Sequence, residues 1–356
     1  MPASAPAPAS LLPRLPQVLR WTWERPLSAV TTHRAALTTA LRTIGAGLGP
    51  GWSLRVALPF EVDDPIDELV ALAHHFADAD IGVDFAPRLA GNRALNTGSA
   101  VKMHARLLPA LGMLIEQLSS SSLSSSMSPG VLLHLEPSAR HVTAAWAARS
   151  GTGLAAKWRG VSSTVASMAG AVWMARQGRR DLTELAHDLR ALPWPVLATS
   201  PPPLLPLDTI IGATALHWLL GCPDTSLWAD DVDGDLFGPT AALCFAPLLA
   251  TVMGARDRAE QHRALTLWAA RHREKSHAVC VGPLSALAGI DVDNAVYVSA
   301  AHVRQDLRAV RALGFSDITI TSLDGLVLAG DVVRNDVDAW VEAIVDSDVS
   351  SVAAAA

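Results

Sequence analysis

The feature that most constrains this 356-residue chain is a short apolar segment that recurs eight times. Each copy is six to nine residues long, ends in or just before polar residues or proline, and precedes a longer segment with helical signals. This length is typical of a buried strand and too short for a core helix. The eight segments are Val18–Glu24, Ser53–Glu61, Gly82–Arg88, Val131–Glu136, Pro195–Ser200, Thr240–Pro247, His277–Gly282 and Asp317–Asp324.

The intervening segments carry recognisable helix boundaries. Asp63-Asp64-Pro65 places acidic residues and proline at a first helical turn, and Ser299 precedes an amphipathic stretch that stops at Gly314. Strands that alternate with helices pair in parallel, because each crossover helix returns the chain to the same end of the sheet. Eight such units predict an α/β fold, a single (β/α)8 TIM-like barrel.

An open, doubly wound sheet is the alternative fold. It would be favoured by a glycine-rich phosphate-binding turn after the first strand, but the sequence there reads Trp23-Glu24-Arg25-Pro26.

The predicted barrel spans residues 17–346. It is preceded by a disordered Pro/Ala lead at 1–16 and followed by a disordered tail at 347–356. A long connection at 137–193 predicts a helical insertion after strand 4, which we expect to lie at the mouth of the barrel.

Composition excludes several classes of function. The chain has only three lysines, a formal charge of −6 and no basic cluster, so we expect no binding to nucleic acid. Three cysteines, none in a CxxC spacing, indicate neither a disulfide framework nor a zinc site, and we predict no metal and no cofactor.

The amino-terminal segment lacks the apolar core of a signal peptide, and the apolar stretches 161–175 and 240–255 are better explained as buried core than as membrane spans. We therefore expect a cytoplasmic protein without membrane contact; the sequence does not indicate its oligomeric state.

In a barrel, the residues that carry chemistry lie at the carboxyl ends of the strands. Five of the eight segments end in or near a carboxylate, and Glu136, which closes the apolar run VLLHLE before Pro137, is the leading catalytic candidate. Held against apolar walls, it would have a raised pKa and could act as a general acid. The alternative is a structural ion pair of Glu136 with Arg25 or Arg88. The predicted ligand-binding residues at the strand ends are Trp23, Arg25, Glu61, Asp84, Arg88 and Phe245.

Three further residues are predicted to be catalytic. Strand alternation places His134 on the same face as Glu136, with β-carbons ~6.5–7 Å apart, as either a proton relay or a hydrogen-bonded core histidine. Glu24 and Asp324 could each supply a second carboxylate, although Asp324-Gly325 is also typical of a simple turn.

The strand pattern resembles that of chitinase-like (family 18) barrel glycoside hydrolases and similar uncharacterised bacterial barrels. Leu133-His134-Leu135-Glu136-Pro137 matches the end of the family's strand-four motif DxxDxDxE, and Leu243-Cys244-Phe245-Ala246 resembles its sixth-strand Met-x-Tyr-Asp. The resemblance implies that Glu136 is the general acid of a glycoside hydrolase. His134 and Leu132 replace two of the motif aspartates, and Phe245 replaces the tyrosine, so substrate-assisted hydrolysis would lack those supports.

Two functions therefore remain open. One is a glycoside hydrolase-like barrel that acts on a carbohydrate or other glycoside, with Glu136 and a second carboxylate from Glu24, Glu61, Asp84 or Asp324. The other is a catalytically degenerate barrel that binds a small-molecule ligand or a protein.

Overall fold

The computed structural model of the chain contains a closed barrel of eight parallel strands, each paired with the strands before and after it. It describes residues 17–48, 51–88, 100–120, 128–134, 184–185, 187–200, 241–247, 250, 255–273, 276–282, 297, 299–321, 323, 327 and 342. The first and last strands pair in parallel and close the ring. The prediction of a (β/α)8 barrel is confirmed, and the open sheet is excluded. The eight strands are β1 (Gln17–Thr22), β2 (Trp52–Glu61), β3 (Gly82–Arg88), β4 (Gly130–His134), β5 (Val196–Ser200), β6 (Ala241–Phe245), β7 (Ala278–Val281) and β8 (Asp317–Ile320).

Five helices are described over their whole length: α1 (Leu27–Gly47), α2 (Ile66–Ala77), α3 (Ala100–Ser119), α4 (Arg258–His272) and α5 (Ala300–Ala312). Helix α2 begins directly after Pro65, and Ser299 caps α5 by accepting a hydrogen bond from the Ala301 amide at 3.2 Å, both as predicted. Gly314 follows α5 with a φ of +88°, a left-handed conformation that glycine adopts without strain. No helix within the described ranges is long and apolar enough to cross a membrane.

Several strands end earlier than the apolar segments suggest. The segment Val18–Glu24 contains β1 only up to Thr22, Thr240–Pro247 contains β6 only up to Phe245, and Asp317–Asp324 contains β8 only up to Ile320. Hydrophobicity extends beyond the ladder because residues past a strand end still pack under the following helix. Trp23, for example, is fully buried and continues the β1–β2 hydrogen bonding with one bond to the Ala57 carbonyl at 3.1 Å.

Alternation along the strands separates two packed regions. One face of the sheet contributes large side chains, such as Trp21, Phe85 and Phe245, to the core beneath the helices. The other face points into the barrel, where a separate cluster of mostly small side chains fills the interior: Ala57, Ala86, Leu132, Leu197, Ala242 and Ala278.

A buried carboxylate ties α4 to α5 outside the barrel. Asp306 is fully buried and pairs with Arg258 at 2.5 Å and with His262 at 2.6 Å, and it accepts a hydrogen bond from the Tyr297 hydroxyl. Burial and the neighbouring Asp306 raise the pKa of Tyr297 well above its ordinary value, so its phenol stays protonated and donates. The cluster therefore fixes Tyr297, in the connection between β7 and α5, against both helices.

Candidate functional site

The interior-facing residues of the first three strands fall on a simple pattern. Arg20 and Thr22 on β1 and Asp84 and Arg88 on β3 alternate with side chains of the outer core, and Glu24 follows in the same phase. Because all strands are parallel, Glu24 and Arg88 lie together at the carboxyl-terminal rim. This is the end of a barrel at which substrates bind.

At this rim, Glu24 is held by a clamp that consists of Thr22 and Arg88. The Thr22 hydroxyl donates to Glu24 Oε1 at 2.8 Å, and Arg88 Nη2 forms an ion pair with Oε2. Arg88 also donates to the Glu24 carbonyl at 2.8 Å and to the Trp23 carbonyl at 3.3 Å. The arginine side chain is 5% exposed and that of Glu24 is 21% exposed, so the clamp presents one fixed, partly accessible carboxylate to the mouth.

The end of β2 forms an acidic turn beside this clamp. The Glu61 amide donates to Asp64 Oδ2 at 2.7 Å, and the Asp64 amide donates to the Glu61 carbonyl at 2.9 Å. Burial raises the pKa of Asp64 more than the hydrogen bond from the Glu61 amide lowers it, and the nearby carboxylates of Glu61, Glu68 and Asp63 raise it further. Asp64 thus accepts a hydrogen bond from the Glu61 amide and helps to position Glu61. From the sequence, Asp64 was predicted only to be part of a helix start.

Deeper in the barrel, the predicted ligand residue Asp84 belongs to a buried ion network. It pairs with Arg20, and with Arg55 at 2.7 Å. Arg20 also pairs with Asp317 at 2.6 Å and donates to Thr319 Oγ1 at 3.2 Å. Two arginines and two aspartates thus balance each other between β1, β2, β3 and β8.

Charge dominates burial at Asp84. Burial alone would raise its pKa, but the guanidinium groups of Arg55 and Arg20 outweigh this effect and hold the pKa well below its usual range. Asp84 is therefore ionised, and its position, 3% exposed, indicates a structural role in the interior.

Two glycines make room for this network. A Cβ at Gly130 would lie 2.3 Å from Asp84 Oδ1 and 3.2 Å from the Pro195 carbonyl. A Cβ at Gly82 would lie 2.7 Å from Arg55 Nη1. Both positions are the first residues of their strands, so the ion network occupies space that any larger side chain would take.

The remaining predicted ligand residues are Trp23, Phe245 and Arg25. Trp23 and Phe245 are fully buried in the core beneath the helices, and Phe245 contacts the Trp268 ring on α4 with a centroid separation of 5.9 Å. Their position favours packing over contact with a ligand. Arg25 is partly exposed in the turn between β1 and α1.

Three predicted catalytic residues cannot be compared with this geometry. Glu136 and Asp324 lie outside the described residues, as does most of the predicted insertion at 137–193. His134 is the last residue of β4, opposite Thr199 in register, and its side chain is also outside the described part. Their catalytic roles stay predictions.

The structure also reveals contributors that sequence reasoning missed, namely Thr22, Arg20, Arg55, Asp64 and Asp317. One sequence pattern could have predicted part of this set: Arg20, Thr22 and Glu24 are spaced two residues apart, so their side chains lie on the same face of an extended segment. Among the described residues, no group of three or more His, Cys, Asp or Glu side chains is arranged to hold a metal ion.

Comparison with known proteins finds a similar solved structure but no similar sequence. No protein-family model matches the chain, and no curated protein matches it in sequence. Among solved structures, the chain is similar to a GH18 chitinase from Pseudoalteromonas aurantia, with 11% sequence identity, a TM-score of 0.46, and coverage of 93% of this chain and 99% of that chain. This likeness carries no information on function, and the assignment of the fold depends on the closed eight-stranded sheet itself.

Proposed function

We propose that this barrel is a glycoside hydrolase-like enzyme that acts on a carbohydrate or other glycoside at its carboxyl-terminal mouth. The observation that carries the proposal is the Thr22–Arg88 clamp around Glu24. Glycoside hydrolysis requires two carboxyl groups with different tasks, and a carboxylate that is fixed in place and partly open to the mouth suits one of them.

In this mechanism, Glu24 is the carboxylate that stabilises positive charge on the sugar, and Glu136 donates a proton to the leaving oxygen. Glu136 comes two positions after His134 in the sequence, and we expect its carboxyl group at the same rim as Glu24. Hydrogen bonds from Thr22 and Arg88 fix both oxygens of Glu24, so the carboxylate needs no rearrangement as charge develops. We assign His134, which ends β4, to the relay that supplies Glu136 with its proton.

The experiment compares hydrolysis of aryl glycosides of several sugars by the wild type, Glu136→Gln and Glu24→Gln. Loss of the proton donor should slow substrates with a poor leaving group far more than those with an acidic phenol, by about 10²–10⁴-fold. Loss of Glu24 should slow both kinds alike. Asp63→Asn, at a side chain that is 74% exposed, is the control and should retain full activity. Equal rates for Glu136→Gln and the wild type on poor leaving groups would refute the role of Glu136.

A second candidate is a barrel that binds a ligand without catalysis. The observation that favours it is that Arg88 pairs directly with Glu24, which weakens the carboxylate as a base or nucleophile. In this case no glycoside is hydrolysed, whereas calorimetric titration with the same sugars shows saturable binding that Arg88→Met abolishes.

A further inference from the structure

Two cysteines face each other across neighbouring strands of the barrel. Cys244 on β6 and Cys280 on β7 are direct partners in the parallel register. Both are thiols; Cys280 is 1% exposed, and Cys244 is partly exposed. A solvent-accessible thiol therefore lies beside a buried one.

Strand alternation places this pair inside the barrel. Ala242 and Ala278, two residues before each cysteine, belong to the interior cluster, and residues two apart on a strand share a face. The Cys280 sulfur also lies 3.3 Å from Thr321 Oγ1, just beyond β8. Thr321 is in phase with Thr319, which contacts Arg20 in the interior. The dithiol pair thus lies near the carboxyl-terminal ends of β6 and β7, below the mouth.

The spacing of the strands decides what such a pair can bind. Neighbouring strands are ~4.8 Å apart, at the short end of the ~4.4–6.8 Å that separates the α-carbons of disulfide-bonded cysteines, so the two sulfurs lie close together. A single ion held between two sulfurs, with metal–sulfur bonds of ~2.3 Å, spans ~4.6 Å when the bonds are opposed. The register therefore places the two thiols at a separation that one bridging ion can span.

We propose that Cys244 and Cys280 form a binding site for a soft, thiophilic cation such as Cu(I), inside the mouth of the barrel. Two thiolates are sufficient ligands for such an ion, and binding releases both thiol protons to solvent. Cys244 provides access from the mouth, and the Thr321 hydroxyl donates to the Cys280 thiolate and stabilises it. The proposal is independent of the glycoside hydrolase function.

The first test titrates the reduced full-length protein with Cu(I), without oxygen, in competition with a chromophoric Cu(I) chelator. The wild type should bind one Cu(I) per chain, and Cys244→Ser and Cys280→Ser should each weaken binding by at least ~100-fold. Thr321→Val should weaken it by about tenfold, as expected for a hydrogen-bond partner of a ligand. Cys222→Ser removes the third cysteine and is the matched control, with unchanged affinity expected.

A second test needs no substitution at the site. In Cys222→Ser only Cys244 and Cys280 remain, and phenylarsine oxide, which bonds both sulfurs with loss of one water, should form one adduct per chain. The adduct should survive an excess of a monothiol and be reversed by a dithiol. Absence of this adduct, or wild-type Cu(I) affinity in Cys244→Ser or Cys280→Ser, would overturn the proposal.

Discussion

In the part of the chain that the structure describes, the barrel interior holds two arginine–carboxylate clusters. Both use β1 and β3, but the strand that supplies the arginine differs between them. In the inner cluster, β1 supplies Arg20 and β3 supplies Asp84; at the rim, four residues further along each strand, β1 is followed by Glu24 and β3 ends in Arg88. The inner cluster has a second arginine and a second aspartate and is almost fully buried. The rim cluster has one pair, with a carboxylate side chain that is 21% exposed.

The difference separates two uses of the same residue types. In the inner cluster each charge is neutralised by the network itself, and Gly82 and Gly130 leave no further room. At the rim, protein groups hold a carboxylate that also faces the mouth. The inner charges are thus saturated and enclosed, whereas the carboxylate at the rim is held in place and remains accessible.

The largest expected effect is that of Asp84→Ala. It leaves Arg20 and Arg55 buried without their shared partner, which should lower the free energy of unfolding by about 3–5 kcal/mol. Urea denaturation measures the loss. The control is Asp63→Ala, which breaks an exposed pair with Arg106 and should change stability by less than about 1 kcal/mol. Similar losses in the two variants would remove the distinction between enclosed and accessible charge.

Gly130→Ala tests whether the inner cluster is sterically closed. The new methyl group would overlap Asp84 Oδ1 and force the network apart, with an expected loss of about 1–3 kcal/mol in unfolding free energy. Gly112→Ala on α3 is the matched control: no heavy atom lies within 4 Å of the position that its new methyl group would occupy, and a helical alanine should stabilise the protein by up to about 1 kcal/mol. An unfolding midpoint of Gly130→Ala equal to that of the wild type would contradict this account.

Glu24→Gln should have a smaller effect on stability and a larger one on function. The amide retains the shape of the carboxylate but gives Arg88 a weaker partner, so we expect a loss of about 1–2 kcal/mol. Ligand binding or hydrolysis should fall much more than this loss explains. Thermal unfolding and activity measured on the same preparation separate the two effects, and a variant with full activity would place the site elsewhere.

The smallest effect concerns pH, and it has opposite signs in the two regions. The pKa of Asp84 is depressed, so the stability it contributes is present above the unfolded pKa of ~3.9 and is lost as pH falls below it. The pKa of Asp64 is raised, so its ionisation destabilises the fold as pH rises from ~3.9 through the folded pKa. Asp64→Asn should therefore stabilise the protein at neutral pH by less than about 1 kcal/mol, since the side chain is half-buried. The gain should vanish in acid; a gain that persists at pH 3 would contradict the assignment.

The barrel could be predicted from sequence because strand length, helix caps and alternation are local signals. Pro65, Ser299 and Gly314 mark helix boundaries within a few residues of each feature, and the structure has these boundaries where they were expected. The strand ends were predicted less accurately, because apolar residues such as Trp23 lie beyond the end of the strand and are still buried in the outer core.

The site was only partly predictable, because it depends on which distant residues meet. Glu24 and Arg88 were both candidates, but their pairing joins residues 64 positions apart. Asp84 and Arg88 look alike as charged residues of one strand, and only depth in the barrel separates them. The burial of Phe245 follows from its phase on β6. Because alternate residues of a strand share a face, Phe245 lies on the face opposite to that of Ala242. That Ala242 faces the interior is known only from the closed barrel.

The pair between Arg20 and Asp317 joins residues that are 297 positions apart, and it spans the seam where β8 meets β1. During synthesis, Arg20, Arg55 and Asp84 leave the ribosome early, and Asp317 follows only after most of the chain has been made. Until Asp317 is added, the inner network has two arginines against one aspartate, and Arg20 lacks one of its two carboxylate partners. Asp317, which completes the charge balance of the inner network, belongs to β8, the strand that closes the ring. Neutrality of the network and closure of the barrel therefore depend on the same strand.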